Sequence, residues 1–161
     1  MDHIKFAINM ELDGEKYYRE QAEINRNNRL YTVCLLLAEE EKSHAQILTD
    51  YLNKRPHRLV EADTLSKTEN IFDGVDDIQF EGAERASQLD FYRIAANKEK
   101  ESIELYKKYA LKAEDGQEKE LFEFLMKQEE MHFNLLDELN TLLMHAEEWV
   151  ENAEFGIREK Y

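Results

Sequence analysis

Two Glu-x-x-His motifs contain the residue types best suited to chemistry in this sequence, Glu41–His44 and Glu129–His132. Residues three apart lie on one face of a helix, so the carboxylate and the imidazole of each motif can reach the same ion. A single motif of this kind carries little weight, because most glutamates on helices are solvated. Two motifs at matching positions would indicate a metal site.

An internal repeat relates the two motifs, since His132 follows His44 by 88 residues and the flanking sequences align under that shift without gaps. The shift pairs identical residues on the inner face of the predicted helices: Glu11 with Glu99, Tyr18 with Tyr106, Glu41 with Glu129, and His44 with His132. Most other acidic residues have no acidic partner; Glu40, for example, aligns with Gln128 and is therefore left out. The repeat selects six candidate metal ligands: Glu11, Glu41, His44, Glu99, Glu129 and His132.

The apolar periodicity predicts an all-α fold in a single domain over residues 1–161. Four helices are predicted at about residues 3–25, 29–53, 88–113 and 117–155, with a long connection over residues 54–86. Asn25–Asn28 and Asp115–Gly116 mark the turns of two helix hairpins, and Gly156 is expected to end the fourth helix. The projecting end of that helix, which carries Trp149, favours a homodimer.

The turn positions predict that the candidate ligands meet in the middle of the bundle. In each hairpin the two candidate glutamates, such as Glu11 and Glu41, lie 15 residues on either side of the turn. Residues equidistant from the turn of an antiparallel hairpin lie at one level, here ~22 Å from the turn at ~1.5 Å per residue. The candidate ligands of each hairpin therefore meet at one level, in the middle of the bundle and away from its ends.

Four carboxylates in a helical core would be unfavourable if they were ionised and unpaired. Two divalent cations neutralise them, and each cation obtains an imidazole, a terminal carboxylate and a share of bridging carboxylates. This oxygen and nitrogen ligand set suits Fe or Mn, with Zn as a substitute, and leaves coordination positions open for dioxygen or peroxide. Tyr18 and Tyr106 lie about two turns beyond the first glutamate of each half, where they either pack in the core or hydrogen-bond ligand carboxylates.

Composition and charge exclude several classes of function. The chain has 36 acidic and 21 basic side chains and a net charge of −15, which argues against nucleic acids and anionic membrane surfaces as partners. The single cysteine, Cys34, excludes an internal disulfide and a Cys-rich metal site, and its apolar neighbours predict that it is buried. No signal-peptide pattern and no apolar run of ~18 residues occur, so we expect a cytoplasmic protein.

The double Glu-x-x-His pattern with two further glutamates resembles the ferritin-like di-iron carboxylate superfamily, in which two helices each supply a Glu and two each supply a Glu-x-x-His. Within that superfamily the chain is most similar to the rubrerythrin-like branch. The resemblance implies a four-helix bundle whose two hairpins are joined by a long crossover, here residues 54–86. It also implies two iron ions held by the six candidate ligands, with Glu41 and Glu129 bridging.

Three departures from the relatives carry further implications. Rubrerythrins proper have a rubredoxin domain with paired Cys-x-x-Cys motifs, which this sequence lacks, so the resemblance implies a separate electron donor such as a rubredoxin-like protein. Rubrerythrins also have an additional glutamate one turn after the third-helix ligand; Ser102 stands there and predicts less efficient peroxide reduction. Bacterioferritins ligate haem through a Met that follows the second-helix Glu, and Lys42 at that position predicts no haem.

Three functions are compatible with these residues. The first is a di-iron oxidoreductase that reduces peroxide or dioxygen with electrons from the external donor. The second is a ferroxidase or iron-binding protein that feeds an iron store, which requires a shell-forming oligomer. The third is a structural module that has kept the fold and lost the chemistry, and the six intact ligand positions disfavour it.

Overall fold

The computed structural model describes residues 2–61 and 82–158, with side chains over residues 2–61 and 87–144. Four helices make up the described chain: α1 (Asp2–Ile24), α2 (Leu30–Leu52), α3 (Gly82–Lys112) and α4 (Gly116–Arg158). They form an all-α four-helix bundle of two hairpins, as predicted, and the described ranges contain no strand. Most of the predicted crossover, residues 62–81, lies outside the described residues, as does the side chain of Trp149.

Two helix ends differ from the prediction. Helix α3 begins at Gly82 rather than at residue 88, so residues 82–86 belong to the helix and not to the connection. Residues 83–86 are Ala, Glu, Arg and Ala, which are good helix formers. The capping-box pattern near Ser87 favours a helix start at that position, but it does not prevent the helix from beginning earlier. Helix α4 passes through Gly156 and ends at Arg158, because a glycine costs a helix only ~1 kcal/mol relative to alanine.

Polar side chains close both hairpin turns where the sequence places them. The Asn28 carboxamide oxygen accepts a hydrogen bond from the backbone N–H of Leu30 at 2.9 Å, and its nitrogen donates to Asn25 Oδ1 at 3.0 Å. In the second turn, Asp115 Oδ1 accepts a hydrogen bond from the Gln117 backbone N–H at 3.0 Å. These contacts satisfy backbone donors at the starts of α2 and α4 that have no partner within the helix.

Two apolar clusters fill the bundle on either side of its middle. The first lies toward the α1–α2 turn and contains large side chains from all four helices, including Tyr18, Val33, Leu37, Phe91 and Leu135, together with the buried Cys34 that the sequence predicted. The second lies toward the α3–α4 turn, at the other end of the bundle, and includes Ile4, Leu48, Tyr106, Phe122 and Leu125. Burying each such side chain contributes ~1.5–3 kcal/mol, so the clusters hold the intervening polar residues in place. Within residues 2–61 and 82–158, no helix has the length and apolar character of a bilayer span.

Candidate metal centre

Each helix delivers one part of the predicted site to the interior. Glu11 lies on α1 and Glu99 on α3, both at inward positions between the two apolar clusters. The Glu-x-x-His motifs of α2 and α4 present glutamate and histidine to the interior together, because a three-residue spacing nearly completes a helical turn. All six side chains, here called the Glu/His cluster, are buried, with at most 5% of any residue exposed.

The Glu/His cluster divides into two overlapping groups of possible metal ligands. In each group, one ligand atom from each of four residues lies within 4.8 Å of all the others. The first group comprises Glu11, Glu41, His44 and Glu129, and the second comprises Glu41, Glu99, Glu129 and His132. Glu41 and Glu129 belong to both groups, so their carboxylates stand between two positions that each have a carboxylate and an imidazole of their own.

Both histidines turn the Nδ1 atom toward the carboxylates. His44 Nδ1 lies 3.1 Å from Glu129 Oε1 and 3.4 Å from Glu11 Oε2. His132 Nδ1 lies 3.1 Å from Glu41 Oε1. The two imidazole rings are stacked, with centroids 5.6 Å apart. Each histidine therefore contacts the glutamate of the other motif, which ties α2 to α4 through the middle of the site.

The two repeated tyrosines hydrogen-bond glutamates of the opposite hairpin. Tyr18 donates its phenolic proton to Glu99 Oε1 at 2.5 Å, and Tyr106 donates to Glu11 Oε1. Both rings also lie fully buried in the apolar clusters. The alternatives drawn from the sequence, core packing and orientation of carboxylates, are thus both realised by the same side chains.

Glu40 belongs to the site although the sequence analysis left it out. The residue is 7% exposed, and its Oε2 lies 2.5 Å from His132 Nε2. The repeat comparison dismissed it because Glu40 aligns with Gln128, which is not a metal ligand. Both residues stand four positions before a motif histidine and therefore share its helix face. The sequence feature that could have identified Glu40 is the presence of a hydrogen-bonding side chain at this inward position in both halves of the repeat. The structure buries Gln128 as well as Glu40.

The four carboxyl groups of the cluster are of two electrostatic kinds. Burial and the charges of neighbouring glutamates raise the pKa of Glu41 and of Glu129 well above the ordinary value. Burial also disfavours ionised Glu11, but a hydrogen bond with Glu41 and the charge of His44 lower its pKa to about 2. For Glu99, burial is outweighed by a nearby imidazolium charge and by hydrogen bonds, so its pKa is lowered.

Both histidines of the cluster hold a proton more firmly than a histidine in water. Burial disfavours the charged form of His44, but the charge of Glu11 outweighs burial and raises the pKa. Burial is likewise outweighed at His132, whose pKa the charge of Glu99 raises well above its ordinary value. These shifts favour charged imidazoles beside ionised Glu11 and Glu99, and they favour the protonated forms of Glu41 and Glu129. Bound protons thereby reduce the negative charge of the metal-free cluster.

The donor atoms of the cluster fit two metal ions. The Oε2 atoms of Glu11, Glu99 and Glu129 are buried and accept no hydrogen bond from the part of the chain that the structure describes. A buried carboxylate oxygen that accepts no hydrogen bond is costly, and coordination to a cation removes that cost. Oxygen and imidazole donors without a thiolate suit iron, manganese or zinc. Two divalent ions also carry the charge that four ionised carboxylates require.

A cavity of about 240 Å³ reaches the cluster from the surface between α1 and α3. Glu41 and Glu99 contribute to its lining, together with Gly14 and Ser102. A Cβ atom at Gly14 would lie 3.2 Å from Glu41 Oε2, so the glycine keeps the space beside this carboxylate open. The Ser102 hydroxyl donates to the Lys98 carbonyl oxygen at 3.1 Å. A small molecule can therefore approach the carboxylates from this side.

Comparison with known proteins gives one match. The family model described as Rubrerythrin matches residues 2–140, a range that includes the whole Glu/His cluster and both tyrosines. No curated protein and no solved structure matches the chain.

Proposed function

Since the chain belongs to the rubrerythrin family of ferritin-like di-iron proteins, we propose that the Glu/His cluster binds two iron ions in a non-haem iron oxidoreductase. The observation that carries this proposal is the pair of overlapping ligand groups that share Glu41 and Glu129. The buried carboxylate oxygens without hydrogen bonds support it. Peroxide or dioxygen is the oxidant; a bound diferrous pair would supply two electrons, which together with two protons reduce hydrogen peroxide to two water molecules.

The chain's own residues have separate roles in this proposal. Glu11 and His44 would hold one ion and Glu99 and His132 the other, and the carboxylates of Glu41 and Glu129 would be available to both. Tyr18 and Tyr106 fix the orientation of the two unshared carboxylates by donating hydrogen bonds. A carboxylate that accepts a hydrogen bond from a buried tyrosine would keep its orientation when the charge of a bound ion changes.

The cavity beside α1 and α3 provides the route for the oxidant. Its lining includes Glu41 and Glu99, which belong to the cluster, and the half-exposed Phe6. Ser102 places a hydroxyl in this route at the position where the sequence analysis expected weaker peroxide reduction. The electron donor lies outside these 161 residues, because one cysteine cannot form a rubredoxin-type iron site.

Iron binding and turnover test the proposal together. Metal-free protein is loaded with Fe(II) without oxygen, its iron is counted per chain, and peroxide consumption is followed by stopped-flow absorbance. We expect about two ions per chain, with binding abolished in Glu41→Ala and His132→Ala. Glu39→Ala is the matched control, because Glu39 lies on the same helix but is exposed and pairs with Arg19 at the surface.

The possible results separate the proposed function from its alternatives. Unchanged iron content in the Glu41→Ala and His132→Ala variants would contradict the site. Two ions per chain without peroxide or dioxygen reduction would leave a metal-binding protein without the enzyme activity. Aerobic uptake far beyond two ions per chain would instead favour the ferroxidase and storage function.

A further inference from the structure

The two halves of the Glu/His cluster differ at one buried position beside the histidines. On the α2 side, Glu40 approaches the Nε2 atom of His132, the ring nitrogen that does not face the other carboxylates. Both side chains are at least nine-tenths buried. The position related to Glu40 by the repeat is Gln128, which is buried but carries no charge. The difference between the halves at this repeat position is therefore one between a carboxylate and an amide.

A carboxylate at this position changes what the histidine can do as a ligand. With Nδ1 directed at the cluster, Nε2 carries the proton and donates it to Glu40 in a charge-assisted hydrogen bond. Such a bond fixes the tautomer and ring orientation and makes the metal-facing nitrogen more basic. An amide oxygen is a weaker acceptor than a carboxylate, so Gln128 cannot strengthen a histidine to the same degree.

We infer that Glu40 makes the two metal positions unequal, so that the position formed by Glu99 and His132 binds a divalent cation first and more tightly. Glu40 acts as a positioning residue, because it reaches the metal only through His132. The inference rests on the proposed metal centre but not on the reaction. Loss of a hydrogen-bond partner behind a metal-binding histidine typically weakens metal affinity by ~10–100-fold, which sets the size of the expected difference.

The metal position formed by Glu99 and His132, which we infer to bind more tightly, is also the position closer to the cavity. Glu99 belongs to its ligand group and not to the other, and Glu99 lines the cavity together with the shared Glu41. The weaker position, formed by Glu11 and His44, has neither of its unshared ligands in the cavity lining. The ion that is retained longest would thus be the ion closest to the incoming oxidant.

A zinc titration followed by NMR of the histidine side chains tests the order of binding. Metal-free, 15N-histidine-labelled protein receives Zn²⁺ in steps, and the resonances are assigned with His44→Gln and His132→Gln variants. We expect the His132 signals to shift over the first equivalent and the His44 signals over the second. Glu40→Gln should weaken the first step by ~10–100-fold, and the Glu39→Gln control should change neither step.

A second variant keeps the test informative if Glu40→Gln destabilises the fold. Gln128→Glu introduces a carboxylate at the repeat position that corresponds to Glu40 and should tighten metal binding at His44. The double variant Glu40→Gln/Gln128→Glu should reverse the order in which the two positions bind zinc. Simultaneous shifts of both histidines in the wild type, or equal effects of Glu40→Gln on both steps, overturn the inference and leave the metal centre standing. No zinc binding by the wild type overturns both.

Discussion

The α1–α2 hairpin and the α3–α4 hairpin present the same side chains to the middle of the bundle and different ones around it. Both contribute a glutamate, a tyrosine and a Glu-x-x-His at positions 88 residues apart. The same shift aligns Gly14 with Ser102, both in the cavity lining, and Glu40, which contacts His132, with the buried Gln128. The candidate metal ligands are thus duplicated, whereas the residues proposed to adjust access and affinity are not.

The site therefore contains two kinds of residue, those that are identical in the two hairpins and those that differ between them. A property set by the duplicated residues should be equal in both halves, since Tyr18 and Tyr106 each donate to a glutamate and Glu41 and Glu129 each belong to both ligand groups. Any property that differs between the halves should follow the residues that the repeat does not preserve.

Among the properties expected to be the same in both hairpins, the pH dependence of metal affinity should show the largest effect. The pKa is raised at Glu41 and His44 on α2 and at Glu129 and His132 on α4, so each half holds protons that a metal ion must displace. Displacing one or two protons per ion makes affinity rise by roughly tenfold to hundredfold per pH unit until these groups lose their protons. Zinc affinities measured between pH 6 and pH 8 would show the slope.

The same shifts give the metal-free protein the opposite pH dependence. A group with a raised pKa stabilises the fold below its unfolded-state value, near 4.5 for Glu and 6.5 for His, and that stabilisation is lost as pH rises. The melting temperature should therefore fall above pH 6.5 without metal and recover when metal is added. A metal-free protein that became more stable over this range would contradict the protonated cluster. The isosteric double variant Glu41→Gln/Glu129→Gln should show a shallower loss.

The residues that recur across the repeat are the ones that the structure brings together. Glu11 and Glu99 were selected because they are identical under the shift of 88 residues, and both are buried in the Glu/His cluster. Glu40 was missed because its position accepts either a carboxylate or an amide, and a search for identical residues discards such pairs. The start of α3 and the passage of α4 through Gly156 were missed because helix ends depend on preferences of only ~1 kcal/mol.

The tyrosine hydrogen bonds should contribute equally in the two hairpins, with a smaller effect than pH. Tyr18→Phe removes a donor to Glu99, and Tyr106→Phe removes a donor to Glu11, so each leaves a buried carboxylate with one partner fewer. Each change should cost ~1–3 kcal/mol of unfolding free energy in the metal-free protein. Urea unfolding curves of the two variants would measure the costs side by side.

Tyr17→Phe provides the control for the tyrosine pair. The Tyr17 hydroxyl is buried and has no hydrogen-bond partner among the residues described, so its removal should leave stability unchanged or slightly higher. If Tyr18→Phe and Tyr106→Phe differed by more than ~1 kcal/mol, the equality of the halves would fail for the duplicated residues as well.

The smallest effect should come from the unduplicated glycine beside the cavity. In Gly14→Ala the new methyl group would lie 3.2 Å from Glu41 Oε2, tighter than most contacts of a Cβ atom, and narrow the route to the carboxylates. Helix propensity should offset this contact, since alanine in a helix interior is favoured by ~0.5–1 kcal/mol. We expect peroxide consumption to slow by roughly threefold to tenfold at unchanged iron content and melting temperature. Gly116→Ala, whose Cβ meets nothing within 4 Å, should keep the wild-type rate. Equal rates for both variants would show that the oxidant does not pass Gly14.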